Sequence, residues 1–160
     1  MTAAFSKRFE VRWDDVDING HLRSTRYLEY ATTTRLFFLK EAGWDIQELQ
    51  KDGICLVLLN EEIHYRREVL LAQRVDVTFE TVSMTDDGTR WRSRQILTRA
   101  DGEIAAEIHS LSAWMDFGSR RICRPPDPLM ATIRSAKAED CMMIETPNVN
   151  ASGPAGPRRL

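Results

Sequence analysis

The sequence predicts an α+β fold, in which an antiparallel sheet covers one long helix. Three observations carry that prediction. Residues 24–42 form an apolar segment long enough for a substantial helix, with helix-stop signals at its end. From residue 54 onward, apolar side chains recur at every second position. Turns rather than helices interrupt that later run, so its strands meander and pair antiparallel.

Each element follows in order. Residues 6–13 (SKRFEVRW) alternate Phe9, Val11 and Trp13 against Arg8, Glu10 and Arg12, as a half-buried strand with Trp13 inward. In the helix, Ser24 or Thr25 suits the N-cap, Lys40 the last turn and Gly43 the C′ position. Its apolar residues (Tyr27, Leu28, Ala31, Leu36, Phe37, Phe38 and Leu39) spread around much of the circumference, which predicts a helix wrapped by other structure. A short amphipathic piece over 45–51 closes at Asp52-Gly53. Strands are predicted over 54–66, 74–84, 89–99 and 103–116, the last two joined by the hairpin signal Asp101-Gly102. A short helix is predicted over 129–137. Residues 1–137 thus make one domain, and 138–160 read as a poorly packed C-terminal tail, whose last stretch, ETPNVNASGPAGPRRL, has no periodicity. The predicted sheet has five strands. One helix covers only one face of it and leaves its edges in need of partners, so a homodimer or homotetramer is expected.

Composition narrows the function classes. With 42% hydrophobic and 29% charged residues, the 160-residue chain is globular. Its longest apolar run, ICLVLL from Ile54 to Leu59, is far below the ~20 residues that span a bilayer, so no membrane insertion is expected. The N-terminus lacks the apolar core of a secretory signal, and the three cysteines are odd in number and scattered. A cytoplasmic location is therefore expected. A net charge of −2 exerts no overall pull on nucleic acid, and none is expected as a partner. The histidines are far apart and no cysteine pair lies near them, so neither a metal site nor a cofactor is expected.

The stretch from Trp13 to His21, WDDVDINGH, packs three aspartates, an Asn-Gly turn and a histidine just ahead of the helix. Asp15-Val16-Asp17-Ile18-Asn19-Gly20-His21, followed by Tyr27 near the helix start, resembles the motif of the hotdog-fold thioesterases, most of all their 4-hydroxybenzoyl-CoA thioesterase-like branch. Arg35 two turns on, Ile63-His64-Tyr65, the DG hairpin and the strand ending at Met115-Asp116 extend the similarity over roughly residues 6 to 134. The chain departs from that branch at Arg23-Ser24, Thr32, Ala72-Gln73 and Ile18, which leaves the acyl group open. The resemblance implies a five-stranded hotdog sheet around the long helix, and hydrolysis of an acyl- or aroyl-CoA to free acid and CoA. Two alternatives stay open: a non-catalytic acyl-thioester-binding protein on the same fold, and a hotdog hydratase or dehydratase using His21 with Asp17.

Thioester hydrolysis needs a carboxylate, as nucleophile or as base for water, and a donor for the developing oxyanion. Asp17 is the candidate carboxylate, since a helix start favours negative charge. The first-turn backbone N–H groups of Ser24 and Thr25 are the candidate oxyanion donors. His21 is a supporting candidate, as an orienting group or as a structural histidine. Tyr27 is a candidate for the substrate wall. Asp15 is read as a loop-shaping residue and Asp14 as incidental. Arg90, Arg92 and Arg94 alternate on one strand face, and Arg90 and Arg92 are candidates for the CoA phosphates, against the alternative of a solvated face paired with Glu80, Asp76 or Glu107.

Overall fold

A computed structural model describes residues 4–145 of the chain. The elements run β1 (Phe5–Glu10), a single 3₁₀ turn (Trp13–Asp15), α1 (Ser24–Glu41), α2 (Ile46–Lys51), β2 (Ile54–Tyr65), β3 (Arg74–Thr85), β4 (Arg90–Arg99), β5 (Ile104–Asp116), α3 (Asp127–Ser135) and β6 (Lys137–Ile144). Among the described residues one sheet holds all the strands, in the order β1-β3-β4-β5-β2, with β6 beside β3. It is a hotdog-like arrangement, with the four meandering strands in the predicted places.

The period-two pattern sets the two faces of the sheet. Val75, Val77 and Phe79 on β3, Trp91 and Leu97 on β4, and Ile108 and Trp114 on β5 are buried toward α1. α1 lies on that inner face: Tyr27, Tyr30, Ala31 and Phe38 join the buried core, and Gln95 donates to the Ala31 carbonyl at 2.7 Å. Phe9 stacks on Tyr30 with centroids 4.4 Å apart, fixing one flank of the helix. Gly43 takes φ +89 just beyond the helix, as its predicted C′ position requires.

Four expectations are corrected. Among the described residues the sheet has six strands rather than five, because Lys137 and residues 138–144 of the expected tail form β6 parallel to β3. Residues 146–160, the rest of that tail, lie outside the described residues. Within one chain, α1 rests on the sheet instead of being wrapped by it, and Leu36 and Phe37 stay 40% and 36% exposed. Trp13 does not continue the first strand inward. The chain leaves β1 after Glu10 into the 3₁₀ turn, which turns the indole outward at 77% exposure. Finally, the N-cap is Arg23, with no side-chain cap bond, and Ser24 is the first helical residue. Among the described residues, no helix is long and apolar enough to cross a membrane.

Candidate active site

The loop between β1 and α1 is a compact knot built on its aspartates. Asp15 is buried, and its Oδ2 accepts the Arg12 N–H at 2.9 Å and the Tyr30 hydroxyl at 2.8 Å. Arg26 Nε stands 2.7 Å from Asp15 Oδ1. Burial disfavours this charge, but the Arg12 N–H, the Tyr30 hydroxyl and Arg26 together hold the carboxyl below its ordinary pKa. The same contact, added to burial, drives the Tyr30 phenol well upward. The Asp15 carbonyl accepts the Arg23 N–H at 2.8 Å, so this residue ties the loop to the start of the helix. It is the shaping residue that the sequence predicts, with Asp14 at the rim beside Arg12 and Arg26.

Asp17 has the opposite setting. It is exposed, and its Oδ1 accepts the backbone N–H of Asn19 at 2.8 Å and of His21 at 3.2 Å. Its own N–H donates to the His21 carbonyl at 2.8 Å, and Gly20 closes the turn at φ +74. Glycine is required there, because L side chains are strained in left-handed backbone. The loop thus holds the Asp17 carboxylate by one oxygen, oriented and open to a reactant. The link to His21 runs through that residue's backbone and not through its imidazole.

These residues meet in a cleft of about 350 Å³ lined by Asp17, His21, Leu22, Ser24, Tyr27 and the segment from Tyr65 to Glu68. Ser24 and Thr25 occupy the first helical turn, where backbone N–H groups have no intrahelical acceptor. Tyr65, at the end of β2, donates its hydroxyl to the Ser24 carbonyl at 3.1 Å and meets the Tyr27 ring edge-on at 5.2 Å. Burial raises the Tyr27 phenol pKa, and the nearby charges of Glu68 and Asp17 add to it, so this hydroxyl is a neutral donor or acceptor. One loop, one helix start and one strand end therefore bring a carboxylate, N–H donors and an aromatic wall together.

The structure does not bring Arg90 and Arg92 there. Arg90 pairs in register with Ala113 and Arg92 with Leu111, at the far end of β4 from this cleft and on the face turned away from α1. Their neighbour Arg94 is paired with Glu80 and Asp140. The cleft's basic side chains are instead Arg66 and Arg67, with Leu22, Tyr65 and Glu68 the other lining residues absent from the predicted site. The adjacent arginines directly after a strand were the available signal. A larger hollow of about 730 Å³ between β1 and β6 holds no comparable set, since its Glu80, Arg94 and Asp140 pair with one another. Among the described residues, no group of three or more His, Cys, Asp or Glu side chains is arranged to hold a metal.

Against this geometry, residues 11–133 match the model of the thioesterase-like superfamily. The chain belongs to the thioesterase-like superfamily. That membership makes it a thioester hydrolase, and the matched stretch includes every residue of the cleft. The chain is 27% identical over 108 residues to the long-chain acyl-CoA thioesterase FadM of Escherichia coli, covering 62% of this chain and 74% of that one. A Staphylococcus aureus protein solved in complex with CoA superposes with a TM-score of 0.80 at 21% identity, covering 97% of this chain and 96% of that one. The 1,4-dihydroxy-2-naphthoyl-CoA thioesterase of Synechocystis superposes at 0.74 with 16% identity, covering 82% and 96%. These superpositions bear on the fold.

Proposed function

We propose that this protein hydrolyses the thioester of an acyl- or aroyl-CoA, with Asp17 as the catalytic carboxylate. The observation that carries the reading is the placement of an exposed, backbone-held Asp17 in one cleft with the start of α1. In the general-base form, Asp17 takes a proton from water and the resulting hydroxide attacks the thioester carbon. The carbonyl oxygen becomes an oxyanion, which the first-turn N–H groups of Ser24 and Thr25 stabilise. Collapse breaks the C–S bond, and CoA leaves as a thiolate that takes up the proton. In the nucleophilic form, the same carboxylate attacks the carbon and the acyl-enzyme is then hydrolysed.

Tyr27 and His21 line the acyl side of the cleft as supporting groups. Arg66 and Arg67 replace Arg90 and Arg92 as the side chains for the CoA phosphates, since guanidinium forks suit such groups. A homodimer or homotetramer is part of the proposal. β2 is a twelve-residue edge strand whose outer side has no neighbour among the described residues, and it exposes Leu58 and Leu59.

The test is a panel of acyl- and aroyl-CoA thioesters with free-thiol detection, run on the purified protein and on Asp17→Asn. Hydrolysis that falls at least about 100-fold in the variant, with unchanged circular dichroism, is expected. Full activity in Asp17→Asn overturns the assignment. Tight acyl-CoA binding without turnover would favour the non-catalytic alternative.

A further inference from the structure

A hollow of about 400 Å³ lies at the opposite end of α1 from the cleft. Leu36, Phe37 and Trp44 line it together with Ile46 and Leu49 of α2, so its wall is mainly apolar. Leu36, Phe37 and Ile46 remain exposed there. The chain reverses after α1 to form this wall, with the Trp44 N–H donating to the Leu39 carbonyl at 2.8 Å. Asp45 Oδ1 then caps α2 by accepting the N–H groups of Gln47 and Glu48, at 2.9 and 3.0 Å. That carboxylate is engaged by the cap, and its neighbour Glu48 is paired with Lys51.

Two cations meet at the Phe37 wall. Lys7 reaches the Phe37 ring from β1, with Nζ 3.8 Å from the centroid, and Lys40 reaches it from α1, with Nζ at 5.6 Å. Lys7 is half-buried, on the side of β1 that also carries Phe5 and Phe9. Among the described residues neither ammonium has a carboxylate partner, whereas Arg8 on the same strand is paired with Asp76. The end of α1 gives Lys40 a role of its own, since a cation there meets the negative end of the helix dipole. It does not account for Lys7, which arrives from another element and brings a like charge to the same ring. Two ammonium groups without counter-charges, beside an open apolar hollow, complement a ligand with an anionic head and an apolar body.

We propose that this hollow is a second binding site, for a free long-chain carboxylate. Lys7 and Lys40 hold the carboxylate at the Phe37 ring, and the alkyl chain lies along Leu36, Trp44 and Ile46. A hollow of about 400 Å³ with a mainly apolar wall and few polar groups has the character of a small-molecule site. The carboxylate is attracted by two cations that otherwise repel each other, and the chain covers apolar side chains that are otherwise exposed. An alkyl chain with a cationic head gains only the second of these. The site is separate from the cleft, since Ser24 to Lys40 is about 24 Å along the helix, and both can be filled at once. A free carboxylate is also what thioester hydrolysis releases, so the site holds such a product away from Asp17.

Trp44 gives a direct readout, because bromine on a bound chain quenches a nearby indole. Brominated dodecanoate titrated into the purified protein should quench tryptophan fluorescence saturably, and most of that quenching should be lost in Trp44→Phe. In Lys7→Gln/Lys40→Gln the dissociation constant should rise at least about tenfold. Dodecyltrimethylammonium, with the same chain and the opposite charge, should compete at least about tenfold more weakly than dodecanoate in the wild type. Thermal melts check folding; should Trp44→Phe not fold, Ile46→Asp on the exposed wall carries the same expectation. No saturable quenching, undiminished quenching in a folded variant, or equal affinity in the lysine variant or for the two head groups overturns the site. A change of oligomeric state in Ile46→Asp, read by light scattering, would make the hollow an interface between copies and overturn it as well. None of these outcomes bears on hydrolysis, which thiol release reads at the cleft.

Discussion

Tyr30, on the second turn of α1, donates its hydroxyl to Asp15 Oδ2 at 2.8 Å across the buried base of the loop that carries Asp17. This bond joins the helix to the candidate active-site loop from beneath. Tyr30→Phe should destabilise the protein by about 2 kcal/mol, because it removes one donor from a buried carboxylate. The folded-state pKa of Asp15 lies below its ordinary value, so the stability it contributes is present above the ordinary carboxylate range. That stability is lost as pH falls through the lowered value. In Tyr30→Phe the folded value moves back up and acid unfolding should begin at higher pH. Urea titrations from pH 7 down to 3 check both statements, and identical acid midpoints would disprove the second.

Gly20 should resist replacement for a purely backbone reason. A Cβ added there meets nothing within 4 Å, but φ is +74. Gly20→Ala should therefore cost about 1 kcal/mol. It should also lower kcat, because the strained turn is the one that aims Asp17. Thermal melts and steady-state kinetics on one preparation separate the two effects.

Arg66 and Arg67 should matter through binding. Both side chains are more than half exposed, at 54% and 59%, so their contribution should be screened by salt. The double variant Arg66→Ala/Arg67→Ala should raise KM for acyl-CoA roughly tenfold with kcat little changed, and the gap should narrow at high ionic strength. The same changes at Arg90 and Arg92 should leave KM within about twofold. An effect at Arg90 and Arg92 equal to that at Arg66 and Arg67 would return the phosphates to β4.

The exposed edge of β2 should govern assembly. Leu59→Lys places a charge at the bulge of that edge and should weaken self-association at least roughly tenfold. Light scattering across a dilution series reads this directly. A wild-type protein that is monomeric throughout the series would remove the oligomer from the proposal.

How much of this was legible in advance depends on how far each feature reaches along the chain. The alternation of Val75, Val77 and Phe79 reports a strand with one buried face wherever that strand is placed. Asp101-Gly102 fixes a hairpin within a few residues, and Gly102 takes φ +87 there. The loop holding Asp17 is equally local: its carboxylate, the Asn19 N–H and the Gly20 turn are neighbours in sequence. Patterns within ten residues therefore determined the element order, the turns and the catalytic candidate.

Tertiary structure decided what lies against what. It buried Asp15 under Tyr30, fifteen positions away, and left Asp17 open, although the two acids look alike in sequence. It brought Arg66 and Arg67 to the cleft and kept Arg90 and Arg92 on the opposite face, because strand parity gives spacing along a face but not what that face covers. It drew residues 137–144 onto β3, where an edge offered unpaired backbone groups to a segment outside the predicted strands. It also set Arg35 beside Glu61 from a helix and a strand twenty-six positions apart. The physical reason is common to all four: turn chemistry and side-chain period act over a few residues, whereas burial and charge pairing depend on which distant surfaces the folded chain closes together.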